Sequence, residues 1–293
     1  MSFMEPYTLA LAGITLLAAI VNGALGYGFS SITVPLALLF LSNRVINPAL
    51  VLIEVVLNAY VLWVNREAFS TVWRRMTPMI VGLMPGIAVG TAILSQVNPG
   101  WVRFGTLVVL LPLILLQAAG YRRPIRSERS ATLAFGTGLG VLYSVTTISG
   151  PPLAIMLNNQ GLAKVEFRAA LGLVRLAESS LTAVAYAYAG LFTFTSIALI
   201  PWIVPSIMMG VPIGAYIIKR VEAETFRRIT MSFDAWVVAF GVSRLLNELR
   251  LVDGYASYLV LVGVGLLDIW LLYRFFSVPH GPTEAPVTSA PSR

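Results

Sequence analysis

The sequence predicts an all-α polytopic membrane protein: two inverted repeats of about five segments each, with broken half-helices, plus a C-terminal helix. Three observations predict it. The 293 residues are 57% hydrophobic and only 11% charged, where soluble domains are about a quarter charged. The apolar residues fall in long runs, with most charges gathered between them. Two of those runs are broken by Gly, Pro, Ser and Thr at corresponding places in the two halves.

A soluble core of this length cannot hide so much apolar surface. A spanning helix needs about 20 apolar residues. Full-length candidates are 7–26, 48–64, 78–95, 102–119, 131–149, 169–189, 195–218, 229–247 and 255–276. Two shorter apolar pieces, 30–41 and 152–160, follow the broken stretches. The start, with Glu5 and no Lys or Arg in its first thirteen residues, lacks the basic region of a secretory signal. The helix from Tyr7 is therefore expected to be retained. The tail from Val278 is rich in Pro, Thr and Ser and is expected to be disordered. The organisation read from this is a first repeat at 1–125, a second at 126–250, a helix at 251–277 and a tail at 278–293.

Composition narrows the chemistry. There is no Cys, and the single His280 lies in the tail, so thiolate and histidine-cluster metal sites are not expected. No metal or cofactor is expected, and no nucleophile with an adjacent base points to an enzyme. There is no Walker loop to drive an ATP pump, and Gly23, Gly26 and Gly28 follow no strand. The net charge of +7 reads as membrane orientation, not nucleic-acid binding. Arg66, Arg74 and Arg75 fall in 65–77, Arg122, Arg123, Arg126 and Arg129 in 120–130, and Lys219, Arg220, Arg227 and Arg228 in 219–228. The positive-inside rule places these in the cytoplasm and the uncharged 96–101 and 190–194 outside. The alternation works only if both short pieces cross, which puts the amino terminus outside and the carboxyl terminus in the cytoplasm of a bacterial inner membrane. The six Trp residues fall mostly toward span ends, as an interfacial belt does.

The repeat is legible in two alignments. Gly86, Gly90, Val97 and Arg103 match Gly210, Gly214, Val221 and Arg227 at a constant offset (210 − 86 = 124). Gly23, Pro35, Leu36 and Ala37 match Gly140, Pro152, Leu153 and Ala154 (140 − 23 = 117). Five crossings per half invert the second half. Inverted repeats with broken helices in matching positions are the pattern of secondary transporters and point to the binding site.

"NGALGYGFSSITVPLALL" and "SGPPLAIMLNNQGLAKVEFRAAL", with the later "GIAVGTAILSQVNPGWVR" and "GVPIGAYIIKRVEAETFRR", resemble the paired signatures of the TauE/SafE family of membrane transporters, the sulfite exporters. The resemblance runs from about 7 to 247. It departs in the glycine cluster: Gly26-Tyr27-Gly28-Phe29-Ser30 in the first half and Ser149-Gly150-Pro151-Pro152 in the second. It implies export or import of small sulfur-containing anions such as sulfite, sulfoacetate or other organosulfonates.

A Pro in a helix interior removes a donor and costs about 3 kcal/mol, and freed backbone groups in hydrocarbon cost several kcal/mol each. What the break gains is a helix start at depth, whose amides and dipole favour an anion. The amides just beyond Pro152 are expected to be free, with Thr147 and Ser149 adding hydroxyls or caps; Ser30, Ser31 and Thr33 do the same before Pro35. The candidate substrate-binding set is Asn22, Ser30, Ser31, Thr33, Thr146, Thr147, Ser149, Gly150 and Arg175. A kinked structural helix, with its hydroxyls bonded back to carbonyls, is the competing reading.

Ionisable groups inside a span are functional candidates. Glu54 lies one turn before Asn58, and Arg175 and Glu178 are three apart, on one face. With Ala49 matched to Ala170 (170 − 49 = 121), Glu54 aligns with Arg175. Three readings stand: Arg175 binds the anion through its fork, Glu54 or Glu178 carries a coupling proton, or these groups with Asn58 are ion pairs that hold the bundle. Asp234 is a weaker candidate, and Arg244 and Asp268 read as interface snorkellers. The expected function is a secondary transporter of a small anion by alternating access. A channel using the same half-helices is the alternative. Expected partners are the lipid bilayer, the anionic substrate and a coupling proton or cation; no nucleic acid is expected, and an oligomer is compatible with the sequence.

Overall fold

The computed structural model describes residues 5–25, 28–118, 129–158, 162, 164–221 and 223–277. Among these every regular element is helical. The first half runs α1 (Glu5–Leu25), α2 (Phe29–Ala37), α3 (Asn43–Val64), a 3-10 turn at Arg66–Ala68, α4 (Phe69–Gln96) and α5 (Pro99–Ala118). The second runs α6 (Arg129–Thr146), α7 (Gly150–Asn158), α8 (Lys164–Tyr188), the short α9 (Phe194–Ile197), α10 (Ile200–Ile217) and α11 (Ala223–Glu248). A 3-10 turn at Gly254–Tyr258 and α12 (Leu259–Ser277) close the chain.

Among the described residues, seven spans are long and apolar enough to cross a membrane: Tyr7–Leu25, Asn43–Val64, Arg66–Gln96, Pro99–Leu116, Phe194–Ile217, Arg228–Glu248 and Gly254–Ser277. The protein is a multi-pass membrane protein, and its outer surface carries large exposed apolar side chains, with all six Trp residues among them. The expected crossings at 131–149 and 169–189 are helices too, α6 and α8, of 18 and 25 residues. They fall outside the seven and carry the polar groups described below.

Both expected breaks are present. α1 ends at Leu25 and α2 starts at Phe29; α6 ends at Thr146 and α7 starts at Gly150. The half-helices have different limits from the apolar pieces that predicted them. α2 stops at Ala37, short of 41, because Leu39 and Leu41 continue only as turns. α7 begins two residues before Pro152, since Pro fits the first turn, where the missing N–H has no helical partner. Conversely, α3 begins at Asn43, five residues before the predicted start. Pro48 lies inside it, and the Arg44 carbonyl that Pro48 leaves without its amide accepts from Ser196 Oγ at 3.4 Å.

Helix pairs recur across the halves. α4 packs on α6 and α1 on α10; α2 packs on α11 and α7 on α5; α3 packs on α8 and α5 on α11. The aligned glycines lie at the first two of these seams, but by their contacts Gly86 corresponds to Gly214 and Gly82 to Gly210, one helical turn away from the alignment of Gly86 with Gly210 and Gly90 with Gly214. A Cβ on Gly86 would meet Thr137 O at 2.1 Å, and one on Gly214 would meet Ile20 O at 1.9 Å. A Cβ on Gly140 would meet Leu83 O at 2.6 Å, and one on Gly23 Val211 O at 2.1 Å. Such close backbone contact is how small residues join membrane helices in the absence of a hydrophobic drive.

Several charges lie elsewhere than the loop map places them. Arg74 and Arg75 are in the first turns of α4, not in a loop. Arg228 belongs to α11 and is 3% exposed; it pairs with the fully buried Asp268 of α12 at 2.9 Å. Ser232 Oγ and Trp236 Nε1 also donate to Asp268, each at 3.1 Å. Asp268 is thus the buried anchor of α12, not a snorkelling residue. Arg244 is exposed and donates to Leu39 O at 3.0 Å; with Arg103, 3.3 Å from Leu38 O, it closes the carbonyl end of α2, where positive charge is favourable. Gly26, Tyr27, Arg122, Arg123, Arg126, residues 159–160 and the tail with His280 lie outside the described residues.

Candidate functional site

Breaking a helix frees the last four carbonyls before the break. In α6 every one is met. Tyr143 O accepts from Thr147 N at 2.6 Å, and Ser144 O accepts from Tyr186 OH at 2.5 Å. Val145 O accepts from Asn47 Nδ2 at 2.7 Å and Asn43 Nδ2 at 3.2 Å. Thr146 O accepts from Thr147 Oγ1 at 2.7 Å. The requirement that a break in hydrocarbon be satisfied by protein is therefore met for two carbonyls by Thr147 and for the other two by α3 and α8. Thr147 itself has φ +55°, an outlier for a β-branched residue, held by those two bonds. Asn47→Ala is expected to cost about 1 kcal/mol, because Asn43 keeps a second hold on Val145 O; the Asn43→Ala, Asn47→Ala pair bares that buried carbonyl and costs more than the two singles summed. Thermal melts of the purified protein in detergent check this.

At the helix starts the donors differ from expectation. α2 begins behind Gly28, at φ +105°, with no side-chain cap, so Ser30 and Ser31 do not cap it. In α7, Pro151 and Pro152 bring no N–H, and Leu153 N already donates to Ser149 O at 3.0 Å. The amide donors expected just beyond Pro152 are engaged, while the dipole of the helix start remains.

The serines of both breaks point at buried carboxylates. Ser30 Oγ donates to Glu54 Oε1 at 2.5 Å, and Ser149 Oγ donates to Glu178 Oε2 at 2.5 Å. Glu54 also accepts from Arg175 Nη2 at 2.8 Å and, on Oε2, from Tyr143 OH at 2.6 Å. Five elements thus converge: α2, α3, α6, the link to α7, and α8. The ion pair joins the two halves of the chain. Glu54, Arg175 and Glu178 are 1%, 5% and 0% exposed. Around them, Arg175 Nε, Asn58 Nδ2, Glu178 Oε1, Thr33 Oγ1 and Thr182 Oγ1 are buried without a hydrogen-bond partner among the described residues. Unpartnered buried donors and acceptors are costly, and native proteins keep few of them outside ligand sites.

The other expected site residues are placed as follows. Thr146 Oγ1 accepts from Ile148 N at 3.0 Å and donates to Leu142 O at 2.7 Å. Ser31 lines a cavity of about 10 Å³ with Ile148, Pro152 and side chains of α5, so the two breaks adjoin. Gly150 opens α7. Asn22 is half-buried near the end of α1 and makes none of these contacts. Asp234 is buried apart from the network in α11, with Oδ2 unpartnered. Sequence reasoning misses Tyr143, Tyr186, Asn43 and Asn47. The signal that points to the two tyrosines is a phenol in mid-span, which needs a partner for its hydroxyl.

A family model described as Sulfite exporter TauE/SafE matches residues 11–240. No curated protein and no solved structure matches the chain.

Proposed function

The chain belongs to the TauE/SafE sulfite exporter family, whose members are membrane transporters for sulfur compounds, and on that premise we propose a secondary transporter that moves a sulfur oxyanion or organosulfonate by alternating access. The observation that carries the reading is the set of unpartnered buried donors beside Arg175. Glu54 engages Nη2, while Nε has no partner among the described residues, and Asn58 Nδ2 on α3 is likewise free to donate. A guanidinium offers its donors as a planar fork that suits an oxyanion. The start of α7 adds its dipole.

The exchange of helix pairs between the halves supports an inverted repeat. So does the ion pair. Glu54 and Arg175 are matched in the two halves (175 − 54 = 121) and lie 2.8 Å apart. Residues related by a two-fold axis touch only near that axis. The site is then on the axis, where a rocking of one half against the other exposes it alternately to the two sides. In this reading the protein lies in the bacterial inner membrane, with its carboxyl terminus in the cytoplasm.

The test is counterflow into proteoliposomes of the purified full chain, using sulfite, sulfoacetate, sulfate and chloride. Saturable exchange of sulfite or sulfoacetate, with chloride inert, is expected. Conductive, non-saturating flux or exchange of none of the sulfur anions overturns the proposal.

A further inference from the structure

The charges at the paired breaks do not cancel. Two carboxylates, Glu54 and Glu178, stand with one guanidinium, Arg175, which pairs with Glu54, and all three are buried. With every group ionised the cluster carries a surplus negative charge. An unbalanced charge in a dry interior is so costly that the group takes up a proton instead.

The two acids are unequally provided. Glu54 accepts three hydrogen bonds, from Ser30, Arg175 and Tyr143. Glu178 accepts one, from Ser149, and its Oε1 has no partner among the described residues. Donors hold a carboxylate in its charged form, so the proton belongs on the acid that lacks them. Thr182, one turn further along the same face of α8, presents a second unpartnered oxygen, Oγ1.

Among the described side chains, the elements packed against α8 bring no second cation to the two acids. α3 brings Glu54 to the cluster, α6 brings the Tyr143 phenol, and the link before α7 brings the Ser149 hydroxyl. The other charged residue of α3, Arg44, holds carbonyls at the end of α4. The charges of α4 are Arg74 and Arg75 in its first turns, and the adjoining 3-10 turn carries Arg66 and Glu67. The remaining charges of α8 itself, Lys164, Glu166 and Arg168, lie in its first two turns. Among the described residues, Arg175 is thus the one cation brought to the two acids.

We propose that Glu178 is the proton-carrying residue of the transporter and that the proton travels together with the anion. The proposal rests on the transport reading above. An arriving anion adds negative charge next to a cluster already in surplus, so each ligand strengthens the binding of the other, by reciprocal linkage. One O–H bond forms on the Glu178 carboxylate on the loading side and breaks on the release side.

Two measurements test this. The first needs no substrate: infrared difference spectra of the full chain in liposomes over a pH titration. A protonated-carboxyl C=O component is expected in the native protein, lost in Glu178→Gln, shifted in Glu178→Asp, and weakened in Glu54→Gln, which removes the surplus charge; any component from the buried Asp234 stays unchanged in all of them. A spectrum unchanged in Glu178→Gln, or a component that shifts with Glu54→Asp in place of Glu178→Asp, overturns the proposal. The second measures sulfite accumulation in proteoliposomes with and without an inward proton gradient. The native ratio is expected to be roughly tenfold, one decade in the equilibrium, falling to one in Glu178→Gln. A native ratio of one with counterflow intact, or a dependence on sodium in its place, overturns proton coupling. Loss of all sulfur-anion counterflow in the native protein defeats the transport reading instead, while the infrared band still decides where the proton sits.

Discussion

Arg175→Ala is expected to remove most of the folded protein from the membrane. The guanidinium is 6% exposed and its partner Glu54 1%. Deleting it leaves the Glu54 carboxylate buried with only the Ser30 and Tyr143 hydroxyls, which costs about 3–5 kcal/mol. Arg175→Lys keeps the charge but loses the fork, and is expected to restore folding more than affinity. The informative variant is the pair Arg175→Met with Glu54→Gln. Replacing both members of a buried ion pair with groups of similar volume is often neutral, so the pair should recover the monodisperse yield and the melting temperature that Arg175→Ala loses. Sulfite counterflow then separates two roles for Arg175. A folded but silent double variant is expected if Arg175 touches the anion. A double variant that exchanges sulfite at the native rate makes Arg175 a structural tie and moves the anion elsewhere.

That ion pair shows how far the sequence carries the site. A charged residue in a span is conspicuous because nothing apolar explains it, so Glu54, Arg175 and Glu178 stand out from the residue pattern alone. So do the breaks, since Gly28, Pro151 and Pro152 are residues a continuous helix avoids, whereas Pro35 lies inside α2. The pattern leaves the pairing open between three readings, and only three-dimensional contact joins Ser30 to Glu54 and Ser149 to Glu178. An anion is the partner that the sequence suggests for these hydroxyls; in this state they face carboxylates.

The groups that satisfy the break are not legible in the same way. Tyr186 lies in an apolar run and reads as packing until its hydroxyl is seen on Ser144 O. Asn43 and Asn47 fall before the predicted start of their span and read as loop. Pro48 encourages that reading. It is tolerated inside α3 because Ser196, 148 positions away (196 − 48), supplies a donor to the carbonyl it strands. Asp268 misleads for a related reason. Position near a span end says nothing about whether a neighbouring helix covers it, and α11 covers it with Arg228, Ser232 and Trp236.

The glycine seams yield the second large effect. Gly86 and Gly214 lie in α4 and α10, helices that correspond in the two halves, and each touches backbone of the facing helix. An added Cβ would stand 2.1 Å from Thr137 O in one case and 1.9 Å from Ile20 O in the other. Neither neighbour is a side-chain end that swings aside, so the helices must separate along the seam. Gly86→Val and Gly214→Val are each expected to lose about 3 kcal/mol, the upper end of the range for overpacking, and to lower sulfite exchange with the folded yield. Gly13 in α1 and Gly138 in α6 sit on the same facing helices, yet an added Cβ there meets nothing within 4 Å. Gly13→Ala and Gly138→Ala are therefore expected to be neutral or to stabilise by about 0.5–1 kcal/mol, since Gly is unfavourable in a helix interior. Melting temperatures of the four variants, with Gly86→Ala and Gly214→Ala added as milder steps, decide the matter. Alanine at 86 and 214 melting together with alanine at 13 and 138 would show that the seams yield. Comparable losses at 86 and 214 are the outcome expected of one interface built twice, because the two α4-to-α6 and α10-to-α1 contacts then fail for the same reason.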